Sequence, residues 1–503
     1  MPQRLPLTSV RIVMRAGLLG SALLGAIVIG AVVACGNRIR ADNISCLTVR
    51  LPDAPAPTKS TRLLVFAPHC DDETLGCAGL IQQTLAVGGR VRAAILTNGD
   101  SFQTAVECRT HNMRVGPNDY IGFATLRQQE SYAALGYLGV RRDAVQFLGY
   151  PDRGLQALWN DCWLPSHPYT SPFTRCNHSP YGNTFTHAAP YCGQGLVNDI
   201  KANLRAFRPT LVAVTHPAED HGDHAAAGTF VARALQELRA DPRERAWASH
   251  ARLLYYLVHR GDWPTPMAAI ANAPLAPPAS MTHTDTRWLS LPLTPIEVSR
   301  KAHCIDLYPS QTAMSGYFLH AFARRTELFG EITVPYLPTV ADTDDTTPDS
   351  VPWESLPPVL RDPGRDNMLC DVNGGADVTS VYACRDTHNL FVRLRCRQPI
   401  SSRYAYVVSL RPFGPQGETP VRAISLQLSA NGRGPMRIAG ARAISRDNLD
   451  LTIPLSHLQA SGIPLQSLAL SVETALFGLV IDKTGYRIMT CRPPRELTMR
   501  ASN

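Results

Sequence analysis

Two short segments concentrate the histidines and carboxylates of this chain. The first is Pro68–Glu73, with the sequence PHCDDE, and the second is His216–His224, with the sequence HPAEDHGDH. Two histidines and one aspartate form a ligand set that suits Zn²⁺ and leaves one coordination position open for water. We therefore predict a zinc site with a position free for chemistry.

The spacing within the two segments indicates which residues are ligands. His69 and Asp72 can both turn inward from one tight loop, and this leaves Asp71 between them. His224 opens the next amphipathic stretch, with His221 one turn earlier on the same face. We predict that His69, Asp72 and His224 bind the metal. His221 stays unligated beside them, and Asp71 is the general base that takes a proton from water.

Each segment directly follows an apolar run that is typical of a buried strand, and ligands of an open α/β sheet bind beyond the carboxyl ends of its strands. The predicted strands are Arg62–Phe66, Val91–Thr97, Val145–Leu148, Thr210–Val214 and Leu253–Val258. The predicted helices are Thr74–Ala86, Thr125–Leu138, Leu196–Phe207, Ala225–Leu238 and Lys301–Phe329. This alternation predicts an α/β fold with a Rossmann-like, doubly wound, mainly parallel sheet. No GxGxxG loop follows the first strand, so no dinucleotide is expected.

The same residues resemble the motifs of the PIG-L family, the LmbE-like zinc-dependent N-deacetylases. The family pattern is (A/P)HPDDE after the first strand and HPxDxHxDH after a later one, and this chain has APHCDDE and HPAEDHGDH. Cys70 stands where the family has proline; it shapes the loop, although a thiol beside a metal could also ligate it. Further shared segments are Leu75–Gly79, Thr97–Asp100, Arg127–Glu130, Phe147–Asp152 and Tyr308–Gln311. The resemblance covers residues 60–335.

The resemblance implies a hydrolase that removes the acetyl group from an N-acetylated amino sugar or glycoconjugate. It also implies that Arg127 and Asp152 contact the substrate. In the mechanism that we expect, Zn²⁺ lowers the pKa of its water and Asp71 takes the proton. Zn²⁺ and a protonated His221 then stabilise the oxyanion, while Asp223 orients an imidazole.

Two other functions stay open. The same zinc site could serve an amidase or deacylase that acts on another amide. Alternatively, the chain could be a glycan-binding envelope protein with a vestigial deacetylase core. The intact set of histidines and aspartates argues against such decay.

Residues 153–195 do not fit the alternation of strands and helices. The segment is long, rich in aromatic residues and contains Cys162, Cys176 and Cys192. One interpretation is a disulfide-tied flap beside the metal site whose aromatic side chains pack on sugar rings. The other is a surface excursion with a small cluster of its own.

A second domain is predicted after a linker rich in Asp, Thr and Pro. Its predicted strands are Leu390–Leu394, Tyr404–Leu410, Ile424–Leu428, Leu449–Ile453 and Leu468–Val472. Short strands at this spacing predict an antiparallel β-sandwich. Gly375–Asp377, Asn389–Val392 and Leu451–Leu455 resemble the carbohydrate-binding family 9-like and DOMON sandwiches. Sugar binding and a passive spacer or docking role both stay open.

The N-terminus has the residue order of an export signal. Three arginines precede the apolar run Gly17–Ala34, and the sequence VVACG at its end resembles a bacterial lipobox with Cys35 as the lipidated residue. We therefore expect a lipoprotein of the bacterial cell envelope, with the catalytic domain outside the cytoplasm. The alternatives are an uncleaved transmembrane anchor and the signal peptide of a soluble secreted protein.

These observations give the expected domain organisation: anchor 1–35, linker 36–59, deacetylase-like domain 60–336, linker 337–358 and sandwich 359–503. Thirteen cysteines, an even number without Cys35, favour an exported chain that keeps disulfides. The net charge of +8 is carried by scattered basic residues, and no nucleic-acid partner is expected. The expected partners are a glycan substrate and the membrane.

Overall fold

The computed structural model describes residues 50–261, 263–341, 348–368, 370–414, 423–429, 442–444, 448–459 and 464–491. The predicted anchor, with Cys35, lies outside these residues. No helix within the described ranges is long and apolar enough to cross a membrane.

The first part of the chain forms one sheet with helices on both faces. In chain order its elements are β1 (Arg62–Ala67), α1 (Asp72–Ala86), β2 (Arg90–Thr97), α2 (Gln103–Thr110), α3 (Pro117–Tyr137), β3 (Val145–Tyr150), α4 (Leu155–Asn160), α5 (Gly193–Phe207), β4 (Leu211–Thr215), α6 (Gly222–Ala240), α7 (Arg245–Ala248), β5 (Arg252–Tyr256), β6 (Thr286–Pro292), α8 (Pro295–Asp306), α9 (Pro309–His320) and β7 (Thr326–Ile332). The strand order is β3-β2-β1-β4-β5-β7-β6. Strands β1 to β5 pair in parallel, and β7 is antiparallel to β5 and β6.

Alternate residues of β1 enter the two hydrophobic cores of this sheet. Leu63 and Val65 belong to one core, and Leu64 and Phe66 belong to the other. This burial of both faces explains why the strand is a continuous apolar run rather than an alternating one. The predicted doubly wound, mainly parallel sheet is confirmed.

The predicted helix Lys301–Phe329 is wrong, because the segment contains the end of α8, then α9 and most of β7. Pro309 lacks an N–H and starts a new helix instead of continuing α8. Glu327 of β7 accepts hydrogen bonds from the backbone N–H groups of Gly79 and Leu80 and lies 2.7 Å from the Lys301 ammonium. These buried contacts between distant segments fix a strand that local periodicity did not indicate.

The second part of the chain consists of antiparallel strands. They are β8 (Leu360–Arg361), β9 (Val378–Arg385), β10 (Asn389–Cys396), β11 (Ala405–Phe413), β12 (Ile424–Ser429), β13 (Arg442–Ile444), β14 (Asn448–Pro454), β15 (Ser467–Leu476), β16 (Leu479–Lys483) and β17 (Arg487–Thr490). One sheet has the order β13-β14-β10-β9-β8, and the other has β12-β11-β15-β16 with β17 paired to β15. Side chains of both sheets share one hydrophobic core. The predicted sandwich is confirmed.

The sandwich packs directly against the α/β part. The ring of Trp159 lies 6.0 Å from that of Phe413 and 5.9 Å from that of Tyr486, measured between centroids. The guanidinium of Arg233 lies 3.8 Å from the centroid of the Phe413 ring. In the segment predicted as a linker, Trp353 is buried in a cluster on the sandwich. The two parts therefore share a buried aromatic contact in addition to their covalent connection.

Candidate active site at the switch point of the sheet

Both motif segments emerge from the carboxyl ends of adjacent strands. The strand order reverses between β1 and β4, and this switch point is where open α/β sheets bind ligands. The loop after β1 leads into α1 at Asp72, and the loop after β4 leads into α6 at Gly222. Two helix N-termini therefore face the same crevice, and the carboxylates in their first turns are favoured by the helix dipoles.

The three predicted ligands meet in this crevice with nearly equal spacing. His69 Nδ1 lies 3.1 Å from His224 Nε2 and 3.3 Å from Asp72 Oδ2. His224 Nε2 lies 3.3 Å from the same oxygen of Asp72. A tetrahedral Zn²⁺ site with metal–ligand bonds of 2.0–2.1 Å has edges of about 3.3 Å. The donor triangle therefore fits one face of a zinc tetrahedron.

The protonation tendencies of two ligands also suit a metal. Burial lowers the pKa of His224 to about 4, although Asp72 opposes this. Burial alone raises the pKa of Asp72, but His224 and His69 outweigh it and hold that pKa below the ordinary value. Metal ligation requires neutral imidazole and ionised carboxylate, and these are the favoured forms of His224 and Asp72.

Each histidine of the triangle is contacted on its other ring nitrogen by carboxylates. His69 Nε2 lies 3.2 Å from Asp152 Oδ1 and 3.3 Å from Asp223 Oδ2. His224 Nδ1 lies 3.2 Å from Glu219 Oε2, outside hydrogen-bond geometry. A carboxylate that is hydrogen-bonded to the second ring nitrogen, as Asp223 is to that of His69, orients a metal-binding imidazole and increases its basicity.

Asp223 contacts an imidazole, as predicted, and that imidazole belongs to His69. Its two carboxylate oxygens also accept hydrogen bonds from the backbone N–H groups of Arg153 and Leu155. The same carboxylate thus fixes both the ligand and the start of α4.

Asp71 lies in a strained and buried loop. Its φ of 136° is unusual for a residue other than glycine and costs on the order of 1–3 kcal/mol. Its backbone N–H donates to Glu73 Oε2, and its Oδ1 lies 3.3 Å from Arg127 Nη2. Burial raises the pKa of Asp71 well above its usual range, with help from Asp72, whereas Arg127 lowers it. A carboxylate with a raised pKa is suited to take up a proton.

Arg127 supports the loop that carries Asp71. Its guanidinium donates to the carbonyl oxygens of Cys70, at 2.6 Å, and Gly99, at 3.2 Å. Asp152 faces His69 and accepts a hydrogen bond from the Ser101 N–H. Arg127 and Asp152 thus both contact residues of the candidate site. Their contact with a substrate stays a prediction.

His221 lies at the N-cap of α6 beside the ligands. One donor atom from each of His69, His221 and His224 lies within 4.8 Å of the other two. The Nδ1 atom of His221 accepts a hydrogen bond from the backbone N–H of Asp223, so the proton of the neutral His221 ring is on Nε2. Burial, followed by His69 and His224, lowers the pKa of His221 to about 3. This favours a neutral ring that donates through Nε2–H, and the protonated His221 of the expected mechanism stays a prediction.

Sequence reasoning missed two residues of the site, Glu219 and His259. Glu219 accepts the backbone N–H groups of Val258 and His259, and burial raises its pKa to about 8. The His259 ring lies 4.8 Å from that of His224, measured between centroids. His259 directly follows the predicted strand Leu253–Val258, so its position at a strand end was the available signal.

Cys70 is fully buried in the hydrophobic core below the loop. Burial raises the pKa of its thiol well above the usual range, so the thiolate form that binds metal is disfavoured. The interpretation that this residue only shapes the loop is the better one.

The segment 153–195 packs as a cover beside the site. Tyr181 donates to Asp100 Oδ2 at 2.6 Å, and Asn183 donates to Gln128 at 2.8 Å. Cys162, Cys176 and Cys192 form no disulfide among the described residues, so these hydrogen bonds hold the segment in the structure, and a disulfide-tied flap stays a prediction. Trp159, Trp163, Tyr181 and Tyr191 are buried and cannot pack on a sugar ring, whereas Tyr169 and Phe173 are half-buried and Phe185 is exposed.

The sandwich reaches the rim of the crevice. A Cβ at Gly485 would lie 2.9 Å from Ala218 Cα and Pro217 O, so glycine permits this close approach to the second motif. Gln156 at the start of α4 donates to Glu473 of β15 at 3.4 Å. One wall beside the site thus comes from the second part of the chain.

Residues 64–235 match the family model described as PIG-L: GlcNAc-PI de-N-acetylase. This span contains both motif segments and confirms the resemblance for that part of the chain. A search of curated proteins found no match.

Solved structures give distant similarities to the α/β part. The conserved protein TT1542 from Thermus thermophilus is 20% identical, with 58% of this chain and 98% of that chain covered and a TM-score of 0.33. N,N'-diacetylchitobiose deacetylase from Pyrococcus horikoshii is 16% identical, with coverages of 54% and 83% and a TM-score of 0.34. A deacetylase of teicoplanin biosynthesis is 19% identical, with coverages of 57% and 100% and a TM-score of 0.35. Similarity at this level does not identify a function.

Proposed function

Because residues 64–235 form a PIG-L-type domain, we propose that this chain is a zinc-dependent hydrolase that removes the acetyl group from an N-acetylated amino sugar or glycoconjugate. The observation that supports it most is the donor triangle of His69, Asp72 and His224, with edges of 3.1–3.3 Å. When bound there, Zn²⁺ would supply a Lewis acid that polarises water and the acyl oxygen.

Asp71 is the proton acceptor in this proposal. It is adjacent to the ligand Asp72, and Arg127 holds its carboxylate at 3.3 Å. Asp71 takes the proton of the attacking water and transfers it to the leaving nitrogen, as one carboxyl group can serve first as base and then as acid. Its raised pKa favours the protonated form that the second transfer needs.

His221 donates a hydrogen bond to the oxyanion of the tetrahedral intermediate. Its Nδ1 is occupied as an acceptor, so Nε2–H is the available donor. A positioned neutral donor stabilises the developing charge without prior protonation. Asp152 and Asp223 hold His69 from behind and keep the donor triangle in place.

A direct test combines metal analysis of the full-length chain with acetate release from a panel of N-acetyl sugars and non-sugar amides. We expect about one Zn²⁺ per chain and cleavage of at least one N-acetyl sugar. Asp71→Asn, which removes the proton acceptor, should reduce acetate release. Asp143→Asn, which breaks an exposed ion pair with Arg141, is its matched control and should not. Cleavage of only non-sugar amides would favour the amidase alternative. Glycan binding without metal or hydrolysis would favour a vestigial core.

We also propose that the chain is exported and attached to the bacterial cell envelope through Cys35. The support is the arginine-flanked apolar run that ends in VVACG. Cys35→Ser should block processing and leave a precursor of larger mass. An unchanged mass and membrane fractionation would contradict lipidation and favour a transmembrane anchor.

A further inference from the structure

A second group of carboxylates lies in the sandwich, away from both motifs. One oxygen from each of Asp362, Asp366 and Asp482 lies within 4.8 Å of the other two, and Asp377 is close enough to repel all three electrostatically. We call these four residues the sandwich cluster. Asp362 follows β8 of one sheet, and Asp482 belongs to β16 of the other. The cluster therefore joins the edges of the two sheets.

Several oxygens of the sandwich cluster are buried without a hydrogen-bond partner. Asp362 is 8% exposed and Asp377 is 0% exposed. Asp362 Oδ2, Asp366 Oδ1 and Asp377 Oδ1 have no hydrogen-bond partner among the described residues. An unpaired buried carboxylate oxygen is costly. The position of Asp362, with an oxygen directed at the other carboxylates, points to a ligand that supplies positive charge.

The neighbouring cations neutralise the cluster only in part. Arg260 contacts Asp366, and Arg397 Nε lies 2.5 Å from Asp377 Oδ2. Asp482 accepts backbone N–H groups, and Asp362 has no cationic side chain in ion-pair contact among the described residues. Burial, and then the neighbouring Asp366 and Asp482, raise the pKa of Asp362 well above its usual range. The protein alone therefore does not stabilise the ionised form of Asp362.

We propose that Asp362, Asp366 and Asp482, with Asp377 beside them, bind one hard divalent cation of the calcium class. The donor atoms are carboxylate oxygens, which Ca²⁺ prefers and binds at about 2.3–2.6 Å. Two such oxygens on opposite sides of Ca²⁺ are about 4.6–5.2 Å apart, so three oxygens that lie within 4.8 Å of one another can bind the same ion. This site differs from the donor triangle in position and in ligand chemistry, and it does not depend on the proposed hydrolase function.

The position of the cluster gives the cation a structural role. Arg260 contacts Asp366 with one nitrogen and lies 2.7 Å from Asp220 Oδ1 with another. Asp220 directly precedes His221 in the second motif. A bound cation would hold the edges of the two sheets together and fix Asp366, and through Arg260 it would support the loop that carries the active-site histidines.

The test uses the full-length, zinc-loaded chain dialysed free of alkaline-earth ions. Ca²⁺ is added while binding is followed by calorimetry and unfolding is followed by its thermal midpoint. We expect one Ca²⁺ per chain at this site and a rise of the midpoint on the order of 5 °C at a hundredfold excess over Kd. Mg²⁺ at the same concentration should give a smaller rise, because it requires a tighter octahedral arrangement.

Matched variants assign the binding to the cluster. Asp362→Asn and Asp482→Asn should each weaken Ca²⁺ binding at least about tenfold. Without Ca²⁺ both should unfold at or above the wild-type temperature, because each removes one of several crowded charges. Glu354→Gln changes an exposed carboxylate of the sandwich and should bind Ca²⁺ like the wild type. His69→Ala should also retain the site.

Three results would overturn the proposal. The wild type could fail to bind Ca²⁺, Asp362→Asn could bind it unchanged, or His69→Ala could abolish it. A wild type that ignores Ca²⁺ but becomes more stable as the pH falls to 5 would mean that the carboxyl groups share protons instead.

Discussion

The donor triangle and the sandwich cluster are both buried and acidic, but their donor atoms are prepared differently. In the triangle, Asp152 and Asp223 contact the second ring nitrogen of His69. In the sandwich cluster, oxygens of Asp362 and Asp366 lack any hydrogen-bond partner among the described residues. The protein therefore holds His69 of the first site in position. The second depends on a ligand for its charge balance.

The ligand types also separate the two sites. Two imidazoles and one carboxylate suit Zn²⁺, whereas carboxylates alone suit Ca²⁺. An open switch point between β1 and β4 gives a substrate access to the first site. The second joins the edges of two sheets, where an ion would stabilise rather than react. The comparison teaches that buried aspartates alone do not indicate catalysis, and that the groups behind them distinguish the roles.

The largest effect should come from removing a member of the donor triangle. His69→Ala or His224→Ala should lose Zn²⁺ at moderate chelator concentrations and reduce acetate release by about 10⁴-fold or more, because the water is then not activated. Metal analysis and initial rates measure both losses. Asp362→Asn should retain Zn²⁺ and activity. If Asp362→Asn lost Zn²⁺ and activity to the same extent, the two sites would not differ in function.

The next effect distinguishes the adjacent carboxylates Asp71 and Asp72. Asp71→Asn should keep about one Zn²⁺ and lower kcat by about 10²–10⁴-fold, because it removes the proton acceptor and no ligand. Asp72→Asn should lose the metal. Zn²⁺ content and kcat are measured on the same preparations. Metal loss in Asp71→Asn, with Zn²⁺ retained in Asp72→Asn, would reverse these assignments.

A smaller effect should follow from replacing Arg260, which contacts Asp366 of the sandwich cluster and Asp220 of the second motif. Arg260→Met leaves the half-buried Asp366 without its cationic partner, and this should lower the free energy of unfolding by on the order of 3 kcal/mol. Denaturant unfolding measures the change. Arg252→Met breaks an exposed pair with Glu331 and should cost less than about 1 kcal/mol. If Arg260→Met and Arg252→Met lowered the free energy of unfolding equally, the ion pairs of Arg260 would contribute no more than an exposed pair.

The smallest effect is a pH dependence of the sandwich cluster. Burial raises the pKa of Asp366 to about 6, and Arg260 lowers it only in part. Below about pH 4, Asp366 is protonated in both the folded and the unfolded state, so it does not affect the free energy of unfolding. Above about pH 6 it is ionised in both states, and the cost of its charge in the folded state lowers the free energy of unfolding in full. Without Ca²⁺, the thermal midpoint of Asp366→Asn relative to the wild type should therefore rise by about 1–3 °C between pH 5 and pH 8. A relative midpoint that falls with rising pH would contradict the raised pKa.

Much of the fold could be predicted because the signals are local. The apolar run before His69 and the one before His216 are strands in the structure, with bounds within one residue of those predicted. Helix α2 and strand β6 were not predicted. Strand β7 was assigned to a helix, because its placement depends on the buried contacts of Glu327 rather than on periodicity.

The sequence by itself predicted the three donor residues, because each lies in a dense motif of histidines and carboxylates that follows a strand. Only the tertiary structure decided that Glu219 and His259 adjoin His224, and that Asp152 lies behind His69 instead of on the open side. It alone brought Asp362, Asp366 and Asp482 together, since these are isolated aspartates in the sequence. The reason is physical: periodicity and strand ends are properties of a short segment. Contacts between distant side chains depend on strand order, register and the packing of one sheet on another.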